Sequence, residues 1–438
     1  MSPKNPSGTK SGSNGHARRH AGRHFPPAAP GLQNEGVNTK TLDRALLAVF
    51  AIFALNGLIF ASWAARIPAA AQALDIGSAG VGLLLLFSAV GSVAALPLAG
   101  ALAQRVGTAN AVRTGGLLAS AAALVIAAGL AWASIPLTAG GLLLFGAGIG
   151  LWDVAMNLEG TEVERGLRRT LMPKFHGAFS GGAFIGAMIG AGLSALGVSL
   201  PVHLLGIVVL AVVLVILVPK AFLPDSPEML HAHDDDGAPK PSSFGAWKEG
   251  RTLLIGVVVL GAALTEGAAN DWVAKATVDG LDASETAGAV MFGTFVAAMT
   301  ATRWFGARLI DRMGRVRALR LCMGASLAGL ILFVFAPSLW LAGIGVILWG
   351  IGAALGFPMG MSAAGDDPAH AAGRVSVVST LGYTAFFVGP PLLGFLGEQW
   401  GLRNALLVVG AAMLMSILFA PVAAERKPED LGTGNPAA

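Results

Sequence analysis

The chain has 438 residues, of which 54% are hydrophobic and only 12% are charged, and its formal net charge is +4. Soluble domains carry about 25% charged residues, so this composition excludes a water-soluble enzyme. Sixty glycines without a Gly-X-Y period exclude collagen, and the single cysteine, Cys322, excludes an intramolecular disulfide and a cysteine metal cluster. Abundant glycine in so apolar a chain is typical of helices that pack closely within a lipid bilayer.

Residues 1–42 are polar and rich in Pro, Gly, Ser and His, which predicts a disordered N-terminal arm. Six apolar runs follow, each close to the roughly 20 residues that cross a bilayer as a helix. They cover about residues 44–66, 77–103, 109–131, 136–158, 171–198 and 202–222. The pattern therefore predicts a six-helix unit over residues 43–222.

A polar segment at residues 223–250 separates this unit from a second set of six apolar runs. These runs cover about residues 251–275, 284–306, 315–336, 338–362, 371–398 and 402–423. We therefore predict a linker, a second six-helix unit over residues 251–423 and a polar tail over residues 424–438. The predicted fold class is an all-α membrane protein with twelve transmembrane helices.

Basic residues are distributed unevenly between the two sides of these spans. Twenty-six Lys and Arg residues fall on the side of the N-terminus, and only Arg66, Lys275 and Arg403 fall on the other side. Cytoplasmic loops of membrane proteins carry an excess of Lys and Arg. The distribution predicts a multi-pass protein of the plasma (inner) membrane with both termini in the cytoplasm.

The two units have similar sequence segments at equivalent positions. Trp63-Ala-Ala-Arg66 closes the first span, and Trp272-Val-Ala-Lys275 closes the seventh. The second span of each unit ends in a basic loop, at residues 100–107 in one unit and 307–314 in the other. Six spans repeated once in the same orientation indicate two pseudo-symmetric six-helix bundles, which is a design used by transporters.

Over about residues 43–423 the chain resembles the major facilitator superfamily, whose signature loop reads G-x-x-x-D-R-x-G-R. Gln104 replaces the Asp of the pattern in the first copy, and Ala307 replaces the first Gly in the second. The resemblance implies that the loops help to lock the two halves in one state. The alternative is that their basic residues only set the topology. The matching residues are Gly100, Arg105, Gly107, Asp311, Arg312, Gly314 and Arg315.

Several longer segments resemble the sugar-permease-like branch of that superfamily, which is related to fucose permeases. This resemblance implies a small, polar, sugar-like solute. The segments that carry it are Phe60–Pro68, Trp152–Asn157, His176–Ser180, Glu266–Trp272 and Gly389–Pro391.

Two acidic residues lie close together in the seventh span. An ionisable group inside a membrane costs about 2.5–3.5 kcal/mol or more, so its presence suggests a function. We predict that Glu266 is a proton-coupling site, with Asn270 on the same helical face as part of a binding site. Asp271 points about 140° away from Glu266, and we expect it to form an outer gate with Arg66, which lies at a similar depth. The alternative for Glu266 is a structural hydrogen bond to a neighbouring helix.

A second polar group is predicted in the cytoplasmic half of spans 4 and 5. Asp153 and Asn157 share one face of span 4, and His176 enters span 5 at a similar depth. A histidine near a carboxylate can relay protons around neutral pH, so we predict this role for Asp153 and His176, with Asn157 as a binding residue. The alternative is that Asp153 and His176 only hold the two helices together.

Three further residues are candidates for solute binding. Asn56 lies near the middle of span 1 with Trp63 on its face, and an amide beside an aromatic ring suits a polar, partly apolar solute. Tyr383 lies in span 11 and would need a hydrogen-bond partner when buried. Pro390 and Pro391 remove two backbone donors from span 11, so we expect a kink near its middle that acts as a gating hinge.

Together these expectations predict a secondary active transporter that works by alternating access and is coupled to protons. Its expected partners are a small-molecule substrate, protons and the lipid bilayer, without cofactor, metal or nucleic acid, and we expect a monomer. One alternative is a proton-driven exporter of a drug or secondary metabolite. Alternatives of another class are an integral-membrane enzyme, which the short outer loops disfavour, and a non-transporting sensor of the same fold.

Overall fold

The computed structural model describes residues 38–224, 243–367 and 370–425. The predicted arm up to residue 37, residues 225–242 of the predicted linker and the predicted tail from residue 426 lie outside the described residues. The first helix begins at Thr39, so the last four residues of the predicted arm are helical. No strand occurs in the part of the chain that the structure describes.

Six long helical segments form the N-terminal half, which is residues 39–224. A short helix, Ile67–Leu74, lies in the connection after α1, and a 3-10 turn, Val218–Ala221, extends the end of α6. The long segments are α1 (Thr39–Ala64), α2 (Ser78–Val106), α3 (Thr108–Ala131), α4 (Ile135–Leu167), α5 (Met172–Ala195) and α6 (Leu200–Leu217).

Six more long segments form the C-terminal half, which starts after the short helix Ser243–Ala246. Two of them are interrupted: α10 comprises Leu339–Ala353 and Gly356–Ala364, and α12 comprises Leu402–Ala405 and Leu407–Phe419 with a final 3-10 turn. The others are α7 (Gly250–Leu281), α8 (Glu285–Met313), α9 (Arg315–Phe335) and α11 (Ala371–Trp400).

Eleven of these described segments are long and apolar enough to cross a membrane, whereas twelve were predicted. The exception is α8, because its apolar stretch is bounded by Glu285 and Arg303 and contains several Thr and Gly residues. Its 29 residues nevertheless measure about 44 Å, more than the ~30 Å thickness of a hydrocarbon core. Packed between α5 and α10, α8 can carry a charge that a lipid-facing helix could not.

The two halves pack in the same way, as the sequence repeat predicts. In the N-terminal half α1 packs on α5, and α4 packs on both α2 and α3. In the C-terminal half α7 packs on α11, and α10 packs on both α8 and α9. The halves meet where α5 contacts α8 and where α2 contacts α11.

The repeat is also visible in the backbone of the connections. Gly107, between α2 and α3, has a φ of +81°, and Gly314, between α8 and α9, has a φ of +79°. Side chains disfavour this region, so the glycines of the two signature loops are needed for the turns themselves. Gly197 and Gly401, which precede α6 and α12, form a second matched pair with φ values of +72° and +78°.

Helix α11 continues through Pro390 and Pro391, which lie in its outer third rather than near its middle as expected. The interruption of a central helix lies in α10 instead, at Ala354 and Leu355. This interruption leaves a backbone carbonyl available, and an arginine of α8 takes it, as described next.

Candidate functional site

Arg303 of α8 joins three helices of the C-terminal half. Its Nη2 donates to Glu266 Oε2 of α7 at 2.8 Å, and its Nε donates to the carbonyl oxygen of Ala354 at 3.2 Å. The carbonyl is free to accept because α10 is interrupted there. Both side chains of the ion pair are about one-fifth exposed, at 22% each, so the pair is neither on the lipid surface nor sealed in a core.

The same arginine reaches the N-terminal half. Arg303 Nη1 lies 3.5 Å from the hydroxyl oxygen of Ser180 on α5, and that hydroxyl donates to the His176 carbonyl oxygen at 3.1 Å. The exposed His176 imidazole interacts electrostatically with both Arg303 and Glu266. Glu266 and His176, two predicted proton-coupling residues, are therefore brought together by Arg303, which lies between the halves.

Asp153 is not part of this cluster. The Asn157 amide donates to the Asp153 backbone oxygen at 2.8 Å and to its carboxylate Oδ1 at 3.3 Å. None of the ion pairs between described residues joins Asp153 to His176. None of the hydrogen bonds between described residues joins Asp153 to Tyr383 of α11, although the Asp153 carboxylate is near enough to act electrostatically on the Tyr383 hydroxyl. Asp153 and Asn157 thus form a second polar group, and Tyr383 lies in its vicinity on the other half.

Asn270 and Asp271 lie further out on α7, and both are half-buried. Asp271 faces α11, where it lines a small void together with Phe386, Gly389 and Pro390. The 140° rotation from Glu266 that the sequence predicts thus turns Asp271 towards the proline segment. It does not turn Asp271 towards Arg66.

Asn56 and Trp63 of α1 are buried in this state. Asn56 is 1% exposed, and neither its amide nitrogen nor its amide oxygen has a hydrogen-bond partner in the described part of the chain. Trp63 is 6% exposed. A solute in contact with these two residues would therefore require α1 to move relative to its neighbours.

The ends of the two halves that lie away from the start of α1, which we call the outer ends, are tied together by an ion pair. Arg66, at the end of α1, pairs with Glu285, the first residue of α8, and also donates to the Val198 carbonyl oxygen at 3.0 Å. The Ser194 hydroxyl of α5 donates to Glu285 Oε2 at 3.2 Å. The predicted pairing of Arg66 with Asp271 is therefore wrong for this state, because the Arg66 guanidinium pairs with Glu285 instead.

A second polar contact ties the outer ends of α2 and α11. Glu398 Oε2 accepts from the backbone N–H of Ala79 at 3.3 Å, at the N-terminus of α2. A carboxylate is stabilised there by the helix dipole and by the unpaired N–H groups of the first turn. Close packing supports this contact, because a Cβ on Gly394 would lie 2.5 Å from the Ser78 carbonyl oxygen.

At the opposite ends, which we call the inner ends, the ion pairs of Arg315, Arg251 and Arg374 are internal to the C-terminal half. Arg315 forms a bidentate pair with Asp366, at 2.9 and 3.0 Å, and Arg251 joins the same carboxylate at 3.4 Å. Arg374 pairs with Glu249 at 2.6 Å. The partial burial of Glu249 acts to raise the pKa of its carboxyl, but hydrogen bonds from Arg374 and Thr252 outweigh burial and lower that pKa.

The signature loops make fewer polar contacts. Arg105, Asp311 and Arg312 are exposed, and none of the ion pairs among described residues includes them. Gly100 lies within α2 with open space beside it. The locking role that the family resemblance implies for these residues stays a prediction.

Sequence reasoning missed Arg303, Glu285 and Glu398. Arg303 was counted with the cytoplasmic charges, although an arginine well inside a predicted span is itself a signal of function. Glu285 and Glu398 stand at the ends of spans, where a carboxylate needs no special explanation. Nothing in the sequence distinguishes these two from ordinary solvated residues.

The comparisons with known proteins agree on one family. The model of the Major Facilitator Superfamily matches residues 45–385 and 254–438. A transporter named y4wD from Sinorhizobium fredii is 32% identical over 378 residues, which cover 85% of this chain and 97% of that protein.

Solved structures share the fold at low sequence identity. A point mutant of the nucleoside transporter NupG has a TM-score of 0.72 and 15% identity, and the match covers 86% of this chain and 99% of that one. A point mutant of the fucose:proton symporter FucP of E. coli has a TM-score of 0.62 and 16% identity, covering 88% and 100%. At these identities the likeness shows the fold alone.

Proposed function

Because this chain belongs to the major facilitator superfamily and is therefore a membrane transporter, we propose that it moves a small, polar, sugar-like solute inward by alternating access, coupled to protons. The observation that carries the proposal is the ion pair between Glu266 and Arg303. It lies within 3.5 Å of Ser180, so it sits where the two halves meet. A change at this pair can therefore act on both halves at once.

Protonation of Glu266 would remove the carboxylate charge that holds Arg303 Nη2. Arg303 would keep its bond to the Ala354 carbonyl and its contact with Ser180. A guanidinium that has lost its carboxylate partner has a donor to offer to a solute oxygen or to the opposite half. Proton uptake and solute binding would then favour each other, which is what coupling requires.

Asp153, Asn157 and Tyr383 are the proposed solute-binding group. A carboxylate, an amide and a phenol offer acceptors and donors that suit hydroxyl groups. Asp153 and Tyr383 come from different halves, so a solute held by both would be released when the halves part. The solutes of the two structural neighbours support this choice, because fucose and nucleosides both carry a hydroxylated sugar ring.

We further propose that the protein lies in the plasma membrane with both ends in the cytoplasm. The supporting observation is the excess of Lys and Arg on one side of the spans. The only cysteine, Cys322, is buried, so cysteines introduced at Arg105 and Asp282 can be labelled selectively. An impermeant maleimide added to whole cells should label position 282 and spare position 105, and the reverse pattern would refute the orientation.

The test of coupling is a flux assay on the purified protein in liposomes. Hexoses, nucleosides, amino acids and organic acids are first screened by thermal shift, and the best solute is used. Glu266→Gln should abolish uphill uptake driven by a pH gradient and should preserve exchange of labelled for unlabelled solute. Asp282→Asn is the matched control, because Asp282 is an exposed carboxylate in an outer loop. Loss of neither activity in Glu266→Gln, or of both with normal folding, would refute the coupling role.

A further inference from the structure

A groove of about 600 Å³ opens between α8 and the first part of α10. Its volume falls within the ~300–1,000 Å³ range of ligand sites. The wall is apolar, and Phe305 at 63%, Ile347 at 42% and Ile351 at 37% are exposed along it. Ala298, Thr302 and Leu309 complete the floor of the groove.

The groove faces lipid rather than the transport pathway. Phe305 and Arg312 lie about 200° and about 180° around α8 from Arg303, at 100° per residue. Arg303 points to Glu266 and to the N-terminal half, so the groove lies on the opposite face of the helix.

The length of the groove matches one leaflet of a bilayer. Ala298 and Arg312 are fourteen residues apart, which is about 21 Å along the helix axis. Half of a hydrocarbon core is about 15 Å, and the remaining length reaches the level of the headgroups. Its apolar part therefore lies at acyl-chain depth and its last turn at headgroup depth.

Two arginines line the headgroup end of the groove. Arg308 and Arg312 are one helical turn apart, and both are exposed. The Arg308 guanidinium lies 5.9 Å from the centroid of the Phe305 ring, which directs it over the groove. None of the ion pairs among described residues includes either arginine. Asp311 lies on the neighbouring face, so the mouth of the groove keeps an excess of positive charge.

The N-terminal half is closely packed at the position equivalent to the upper end of the groove. Gly91 of α2 corresponds to Ala298 of α8, because each lies sixteen residues before the positive-φ glycine of its loop. A Cβ on Gly91 would lie 1.9 Å from the Leu143 carbonyl oxygen, so α2 touches α4 there. Ala298 carries a methyl group at that position, and the methyl group packs against Gly350 of α10 at the upper end of the groove.

We propose that this groove binds an anionic phospholipid of the inner leaflet. Its acyl chain lies along Phe305, Ile347 and Ile351, and its phosphate pairs with Arg308 and Arg312. An anionic lipid fits better than a zwitterionic one, because the latter carries its own ammonium group beside the phosphate. Basic pockets between membrane helices on the cytoplasmic side are known to suit anionic headgroups. The occupant would brace α8 from the face opposite to Arg303.

The test measures the apparent affinity of phosphatidylglycerol for the full-length protein in detergent micelles, from the rise of its unfolding temperature with lipid concentration. Stabilisation should be saturable, and phosphatidylcholine should stabilise at least tenfold less effectively at equal concentration. The double variant Arg308→Gln/Arg312→Gln should lose about tenfold or more in affinity. Arg105→Gln is the matched control, because Arg105 occupies the place of Arg312 in the half without the groove, and it should behave as the unmodified chain does.

A second variant tests the apolar part without changing any charge. Ala301→Trp adds a large side chain at an exposed groove position, so it should weaken phosphatidylglycerol binding while the protein still folds. Equal binding of both lipids, or equal losses in Arg105→Gln and the double variant, would show only general annular lipid. Stabilisation by inorganic phosphate alone, or full binding in Ala301→Trp, would show an anion site without a lipid. Either result would overturn the proposal.

Discussion

The outer and inner faces of the molecule use charged residues in opposite ways. On the outer face, the Arg66–Glu285 ion pair and the contact of Glu398 with α2 each join one half to the other. On the inner face, the Arg315–Asp366 and Arg374–Glu249 pairs each join parts of a single half. A third contact between the halves joins Arg303 to Ser180, and it lies closer to the inner face than the two outer contacts do.

This difference separates contacts that must break during transport, which we call gates, from contacts that can persist, which we call braces. A bond between two bodies that rock must break in each transport cycle, whereas a bond within one body can persist throughout. The two outer contacts therefore hold the outer ends together in this state. The inner ion pairs keep the inner end of the C-terminal half rigid while that half moves. Mutations on the two faces should accordingly change different observables.

The largest effect is expected from Glu285→Gln. Arg66 is only 2% exposed, and breaking a buried ion pair by removing one partner costs about 3–5 kcal/mol. The loss should favour states in which the outer ends part. A cysteine at Met188, which lies on α5 against α8, should then react at least tenfold faster with an impermeant maleimide.

The control for this variant is the exchanged pair Arg66→Glu/Glu285→Arg, which should restore part of the protection at position 188. An unchanged labelling rate in Glu285→Gln would show that the ion pair does not hold the outer face closed.

A smaller and different effect is expected from Arg315→Ala. Asp366 would lose a bidentate partner within one half, and we expect a loss of about 3 kcal/mol in the free energy of unfolding. Because this pair is a brace, labelling at position 188 should stay within twofold of the unmodified protein. Arg317→Ala removes an exposed arginine of the same helix and should change neither quantity. Faster labelling in Arg315→Ala would make this pair part of the gate.

The smallest effect is expected from Glu398→Gln. Its contact with the Ala79 N–H is exposed and measures 3.3 Å, and a charge at a helix N-terminus is worth about 0.3–1 kcal/mol. Labelling at position 188 should rise by less than about fivefold. Asp282→Asn, which changes a carboxylate within one outer loop, should have no effect. A rise as large as that of Glu285→Gln would show that the two outer contacts act as one.

Much of the fold can be predicted from the sequence because each membrane-spanning helix requires a long run of apolar residues. The repeat of the two halves can also be predicted from the sequence, since the turns at Gly107 and Gly314 both require glycine. The eighth span is the weakest in hydropathy because Glu285 and Arg303 bound it, and those are the residues with the most important contacts.

The partners of charged residues could not be predicted in the same way. Matching by depth pairs Arg66 with Asp271, but the rotation of α7 turns Asp271 to the void beside Pro390. Rotations and tilts depend on contacts spread over the whole chain. Pro358 marks the free carbonyl of Ala354 in the sequence, because a proline has no N–H to bond to the carbonyl four residues before it, but the sequence does not show that Arg303 bonds to that carbonyl.

The most direct measurement is the pair of distances between spin labels across the outer and inner faces. Labels at Leu196 and Asp282 span the outer face, and labels at Arg169 and Arg317 span the inner face, in a chain whose Cys322 is replaced by serine. All four positions are exposed. We predict that Glu285→Gln lengthens the outer distance and shortens the inner one. Two distances that change in the same direction, or an outer distance that stays fixed, would contradict it.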